Sequence, residues 1–141
     1  MRYLIDTNIF LRTLVKEDPH SFKDCSMFLE SAKKNAFDVV TTSLILSEVV
    51  WTLSSFYKFA KLDVIRALRG IIHTRGLQIV DRYTMAAALI SYEMKSVKFI
   101  DAMIGSIPEV IIKQWVVVSY DRDFDKLDVL RKEPGDIVQE N

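Results

Sequence analysis

Four acidic residues of this chain stand in places where a carboxylate is unusual. Asp6 and Asp121 each follow a short apolar run that is typical of a buried strand. Glu48 and Asp101 each interrupt an apolar run whose spacing predicts a helix. A carboxylate on an apolar surface is costly unless it is paired, hydrogen-bonded or bound to a metal ion. These four side chains are therefore the candidates for chemistry.

Each acid also has an ordinary structural explanation. Asp6 and Asp101 suit the start of a helix, where an acidic side chain caps free N–H groups or complements the helix dipole. Glu48 could lie partly exposed between two buried stripes of its helix. The combination is harder to explain in this way. If the four acids converge, their repulsion raises their pKa values, and a hard divalent cation such as Mg²⁺ or Mn²⁺ removes that penalty.

Other residue types exclude several kinds of site. Cys25 is the only cysteine, which excludes an internal disulfide and a zinc site built from cysteines. His20 and His73 lie apart in helical contexts, so a histidine-rich zinc site is not expected. None of the four glycines forms a phosphate-binding loop. The segment after Asp6 lacks the second aspartate of haloacid-dehalogenase-like phosphatases, which makes phosphoryl transfer to Asp6 a weaker alternative.

The charge balance limits how the chain could contact nucleic acid. There are 19 basic and 19 acidic side chains, so RNA contacts would need a local basic patch. The candidates, each near one of the acidic motifs, are Arg12, Lys98, Arg122 and Lys126, although lysine and arginine are ordinarily exposed. Tyr120 could stack on a base or pack against the core. Without a signal peptide or a long apolar run, we expect a soluble cytoplasmic protein with no membrane contact.

The apolar pattern also predicts the elements that would position these groups. Buried strands are predicted at 3–5, 38–41, 77–80 and 115–119, with a further edge strand at 136–138. Helical spacing fills the intervals, with one helix from about Leu44 to Lys61 and one from Tyr83 to Met94. This alternation predicts a single α/β domain over residues 1–141, with a mostly parallel sheet and helices on both faces. Ligands bind at the carboxyl ends of such strands, where Asp6 and Asp121 are expected.

Four segments of the chain resemble motifs of the PIN-domain family. They are Leu4-Ile5-Asp6-Thr7-Asn8, Ser43-Leu44-Ile45-Leu46-Ser47-Glu48-Val49, Phe99-Ile100-Asp101-Ala102-Met103-Ile104 and Ser119-Tyr120-Asp121-Arg122-Asp123-Phe124. The resemblance covers nearly the whole chain and is closest to VapC-type toxins and their archaeal and bacterial relatives. It implies a PIN-like fold, in which helices sandwich a parallel sheet, and assembly as a homodimer. VapC-type members also pair with a small antitoxin protein.

The resemblance implies a role for individual residues. An acidic quartet around Mg²⁺ or Mn²⁺ would consist of Asp6, Glu48, Asp101 and Asp121. The quartet would be supported by Thr7, Asn8, Ser119 and Asp123. The expected reaction is hydrolysis of an RNA phosphodiester by metal-activated water, with one or two ions, and Glu48 would hold a bridging water or the second ion.

The expected function is therefore that of an endoribonuclease, as the toxin of a toxin–antitoxin pair. Two alternatives stay open at this point. One is a non-catalytic PIN-like binding or regulatory module, and the other is an RNA-processing nuclease without an antitoxin. Pro108 stands where relatives continue an Ala-rich helix, and it is expected to kink or end that helix. Whether this reshapes the substrate groove stays open at this point.

Overall fold

The sheet of this protein is parallel throughout. The computed structural model describes residues 1–141. Its strands are β1 (Arg2–Ile5), β2 (Asp38–Thr41), β3 (Leu77–Ile79), β4 (Trp115–Val118) and β5 (Arg131–Lys132). They lie in the order β3-β2-β1-β4-β5, and every neighbouring pair is parallel. The predicted α/β fold with a parallel sheet is confirmed.

Helices cover both faces of this sheet. The α-helices are α1 (Thr7–Leu14), α2 (Pro19–Lys33), α3 (Ser43–Trp51), α4 (Lys61–Ile72), α5 (Met85–Met94), α6 (Phe99–Gly105), α7 (Pro108–Ile111) and α8 (Pro134–Glu140). All four residues of β4 are buried. Because successive side chains of a strand point to opposite faces, this burial requires cover on both sides of the sheet. No helix is both long enough and apolar enough to cross a lipid bilayer.

The register of the two central strands places their following residues side by side. Ile5 at the end of β1 pairs with Val118 at the end of β4, and the backbone N–H of Asp6 continues the ladder by donating to the carbonyl of Val118 at 3.1 Å. The chain leaves β1 toward β2 on one side and has β4 on the other. The strand order therefore reverses between β1 and β4, which is where open α/β sheets bind their ligands.

Local signals explain how the site-bearing segments begin. The Thr42 hydroxyl accepts a hydrogen bond from the N–H of Ile45 at 3.1 Å and so caps α3. A π-helical segment, Thr52–Phe56, extends α3. The carboxylate of Asp121 accepts from the N–H of Asp123 at 2.9 Å and caps the 3₁₀ helix Arg122–Leu127.

The predicted edge strand at 136–138 is wrong. These residues belong to α8, and the edge of the sheet next to β4 is formed by β5 instead. Pro134 occupies the first turn of α8, where its missing N–H costs nothing, and the fully buried Ile137 anchors a helix that packs against α2. The helix expected from Leu44 to Lys61 is also shorter, since its α-helical part ends at Trp51. As expected, the helix holding Asp101 does not continue through Pro108, which begins α7.

Candidate active site

Two strand ends and two helices bring the four acids of the sequence analysis to one cleft. Asp6 directly follows β1, and Asp121 lies shortly after β4. Glu48 projects from α3 and Asp101 from α6. All four line the same cleft, which has a volume of about 390 Å³. Residues far apart in the chain therefore form one negatively charged pocket.

At this pocket, three carboxylates are close enough to share one cation, although only Asp101 and Asp121 of the three line it. Asp101, Asp121 and Asp123 each offer an oxygen, and these atoms lie within 4.8 Å of one another. Asp123 was expected only to support the site, whereas the structure places it among the three closest acids. Asp6 and Glu48 line the same cleft but lie outside this group of three.

A hydrogen-bond network joins the ends of β1 and β4 beneath the cleft. The Ser119 hydroxyl donates to Asp6 Oδ2 at 2.7 Å and accepts from the side-chain amide of Asn8 and the N–H of Asp121, both at 2.9 Å. A hydroxyl group can donate one hydrogen bond and accept two, so the hydrogen-bonding capacity of Ser119 is filled. Asn8 also donates to Asp6 Oδ2 at 3.2 Å and accepts from the N–H of Tyr120 at 3.2 Å. The network fixes the position of Asp6.

Burial dominates the electrostatics of Asp6. Desolvation raises the pKa of this carboxyl group to about 6. Hydrogen bonds from Ser119 and from the backbone of Thr7 partly offset that effect, and the charges of Glu48 and Asp121 add to it. The ionised form of Asp6 is therefore less stable than that of an exposed aspartate in the metal-free protein.

Asp101 is perturbed more strongly. Desolvation, followed by the nearby charges of Asp6 and Asp121, raises the pKa of Asp101 to about 7, while the charge of Lys98 acts in the opposite direction. Both aspartates are 5% exposed. Buried acids whose pKa values are raised toward neutral pH are common in functional sites.

Two buried oxygens in the cleft have no hydrogen-bond partner, and this observation tests whether a cation fits. They are Thr7 Oγ1 and Asp101 Oδ2. An unsatisfied buried polar atom costs about 1–3 kcal/mol, more if it is charged. Every candidate ligand in the cleft is an oxygen, which suits Mg²⁺ or Mn²⁺, and the lining contains no histidine or cysteine that zinc would favour. The residues present therefore fit a hard divalent cation.

The comparisons with known proteins agree with this fold. The PIN domain family model matches residues 3–130. The chain belongs to the PIN domain family. The sequence matches no curated protein.

Solved structures share the fold of this PIN domain. VapBC2 from Rickettsia felis, bound to a DNA fragment from their promoter, has a TM-score of 0.66 at 18% identity, covering 94% of this chain and 98% of that chain. PAE2754 from Pyrobaculum aerophilum has a TM-score of 0.67 at 13% identity, covering 99% of this chain and 94% of that chain. DNA-bound VapBC from Salmonella typhimurium has a TM-score of 0.64 at 17% identity, covering 95% of this chain and 98% of that chain. At these identities the likeness shows a common fold.

Two of the four cationic candidates lie beside the acids of this PIN domain. Lys98 lines the cleft, and its ammonium is 3.9 Å from Asp121 Oδ2. Lys126 donates to the carboxylate of Asp123 at 2.9 Å and to the carbonyl of Ser96 at 3.1 Å. Lys98 is the freer of the two, because its side chain is mostly exposed.

The other two cations lie outside the carboxylate cleft. Arg12 donates to the Ser21 hydroxyl at 2.9 Å, and its guanidinium lies 4.7 Å from the centre of the Tyr120 ring. The Tyr120 hydroxyl is 3.9 Å from the sulfur of the buried Cys25. These contacts favour the packing role of Tyr120 over base stacking. Arg122 is exposed and does not line the cleft.

The sequence analysis missed one large side chain of the cleft. Trp51, at the end of α3, lines it together with the acids. Residues three apart on a helix share a face, and Trp51 follows Glu48 by that interval. This spacing is the signal that could have placed the indole at the site of this PIN domain.

Proposed function

We propose that this PIN domain is a metal-dependent endoribonuclease that hydrolyses RNA phosphodiester bonds. The proposal assigns the catalytic and metal-binding roles to Asp6, Glu48, Asp101 and Asp121, and the cofactor is Mg²⁺ or Mn²⁺. The observation that carries it is the unpartnered Asp101 Oδ2, buried in a cleft that three other carboxylates line.

The cleft residues divide into three roles in this proposal. Asp6, Asp101 and Asp121 would hold the cation, and Asp123, whose carboxylate lies within 4.8 Å of those of Asp101 and Asp121, would assist them. Once bound, a divalent cation lowers the pKa of a coordinated water and stabilises negative charge on the phosphate. Glu48 is half-buried in the cleft, and in this proposal it would accept a proton from the attacking water.

The remaining polar groups position the acids and the substrate. Ser119 and Asn8 hold Asp6 through the hydrogen bonds that join the two central strands. Lys98 extends from the rim of the cleft and would contact a phosphate oxygen of the RNA.

The test is cleavage of labelled single-stranded RNA in the presence of Mn²⁺ or Mg²⁺, with and without a chelator. The Asp101→Asn variant keeps the shape of the side chain but removes its charge, and we expect a loss of more than about 100-fold. Asp128→Asn is the matched control, because Asp128 is exposed, lies outside the cleft and has a left-handed backbone that asparagine tolerates. Cleavage that survives the chelator, or that Asp101→Asn leaves unchanged, would refute the proposal.

The proposal extends to partners and location. We infer a homodimer that pairs with a small antitoxin protein in the cytoplasm. The shared fold with chains of two VapBC structures supports this assignment. Light scattering of the purified chain tests the dimer, and rescue of growth by a neighbouring small gene tests the antitoxin. RNA cleavage without such a gene would favour a processing nuclease, and failure to bind Mn²⁺ would favour a non-catalytic module.

A further inference from the structure

One exposed indole stands in the carboxylate cleft. Trp51 is 65% exposed and lies on the same helix as Glu48. The other tryptophan, Trp115, is only 6% exposed and belongs to the core. The proposed roles of the carboxylates leave Trp51 without a function, although its ring is a large apolar surface beside the acids.

A second aromatic surface adjoins this cleft. Tyr92 and Phe99 are both exposed, and their rings meet edge to face with centres 5.3 Å apart. They line a wide, open cleft of about 770 Å³ together with Lys95 and Lys98. Exposed aromatic rings interleaved with lysines are the usual composition of a surface that binds single-stranded nucleic acid.

The two clefts adjoin each other at the proposed site. Lys98 lines both of them. Asp123 lines the second cleft, and its carboxylate lies within 4.8 Å of those of Asp101 and Asp121. A strand whose phosphate lies at the acids can therefore reach an aromatic ring in either cleft.

We propose that Trp51 and the Tyr92–Phe99 pair are base-stacking residues, which bind unpaired nucleotides on the two sides of the scissile phosphate. Lys98 contacts the RNA backbone where the clefts meet. This inference rests on the proposed nuclease function and names the residues that select its substrate.

The charge balance of the chain is a reason to expect base stacking. The protein has no net charge, and phosphates are repelled by the carboxylates that the cation does not neutralise. The few lysines at the site then supply only part of the affinity, and base stacking is a contact that does not depend on net charge. Bases in a duplex are already stacked on their neighbours, so the same surface discriminates against paired RNA.

The test is RNA binding by the full-length Asp101→Asn protein with Mn²⁺ present, measured in two ways. Anisotropy of a labelled RNA gives the affinity, and tryptophan fluorescence with unlabelled RNA reports on Trp51, because Trp115 is buried. We expect quenching by a single-stranded oligonucleotide and weaker binding of the fully paired duplex.

Substitution of individual aromatic residues then shows which rings contribute to RNA affinity. Trp51→Leu and Phe99→Leu, added singly, should each weaken binding of the single strand by about tenfold to 100-fold. Trp51→Phe should restore most of the affinity, because it keeps an aromatic face. Phe56→Leu is the matched control, since Phe56 is 70% exposed but lines neither cleft.

Three results would overturn the proposal. The first is equal affinity of the Trp51→Leu and Phe56→Leu proteins. The second is a duplex RNA that binds as tightly as the single strand. The third is tryptophan fluorescence that saturating RNA does not quench, as when a second copy of the chain or a protein partner covers Trp51. Failure of the nuclease function is a separate result, seen as uncut RNA when the unmodified protein is assayed with Mn²⁺.

Discussion

Acidification should release the divalent cation from this PIN domain well above the pH at which ordinary aspartates titrate. The raised pKa values of Asp6 and Asp101 come mainly from burial, so in the metal-free protein both groups bind protons near neutrality. A cation must bind the ionised carboxylates, and it therefore competes with those protons. Affinity for Mn²⁺ should rise as the pH rises.

The two pKa values set the size of the effect. Asp101 has a pKa of about 7, so its ionised fraction falls about 100-fold between pH 8 and pH 5. A cation that binds only the ionised form loses the same factor in affinity. Asp6, with a pKa of about 6, adds about another tenfold over the same range. Together they predict a loss of about 1,000-fold.

Calorimetric titration of the full chain with Mn²⁺ at several pH values between these limits measures the loss directly. Repeating each titration in two buffers of different ionisation enthalpy counts the protons that the cation displaces. Asp101→Asn should reduce the pH-dependent loss to about tenfold, because only Asp6 then titrates in this range. Asp128→Asn should keep the full dependence. An affinity for Mn²⁺ that changes by less than about threefold in the unmodified protein would refute the reasoning.

Three further predictions concern stability and positioning. In the metal-free protein the raised pKa of Asp101 gives stability that is present below its unfolded-state pKa and lost as the pH rises through about 7. Asp101→Asn should therefore raise the Tm at pH 8 and leave it unchanged near pH 4, and equal shifts at both pH values in scanning calorimetry would contradict this. Ser119→Ala should lower the free energy of unfolding by about 1–3 kcal/mol and the Mn²⁺ affinity by about 10- to 100-fold, because Asp6 and Asn8 both lose a partner. Urea unfolding and calorimetry test both, and an unchanged affinity would show that Asp6 does not depend on this contact. Thr42→Ala removes the cap of α3 and should cost about 1 kcal/mol in urea unfolding, an effect that Thr42→Ser should largely avoid. Equal losses in the two variants would show that the hydroxyl is not responsible.

The sequence was most informative where local signals and burial agree. The apolar runs of β1 and β4 are readable because both faces of a central parallel strand are buried. It was least informative at the C-terminal end. The short apolar pair Ile137-Val138 fits a strand or a helix equally well, and packing against α2 decided for the helix.

The candidate site shows the same division. Neighbours along the chain are enough to show which carboxylates stand in apolar surroundings. Three relations become visible only in the folded protein. Asp123 lies close to Asp101 and Asp121, Trp51 lines the same cleft as those two acids, and the Arg12 guanidinium lies over the Tyr120 ring. Those relations depend on strand order and on how helices pack across the sheet. Both bring together residues from distant parts of the chain, and no local pattern records their distances.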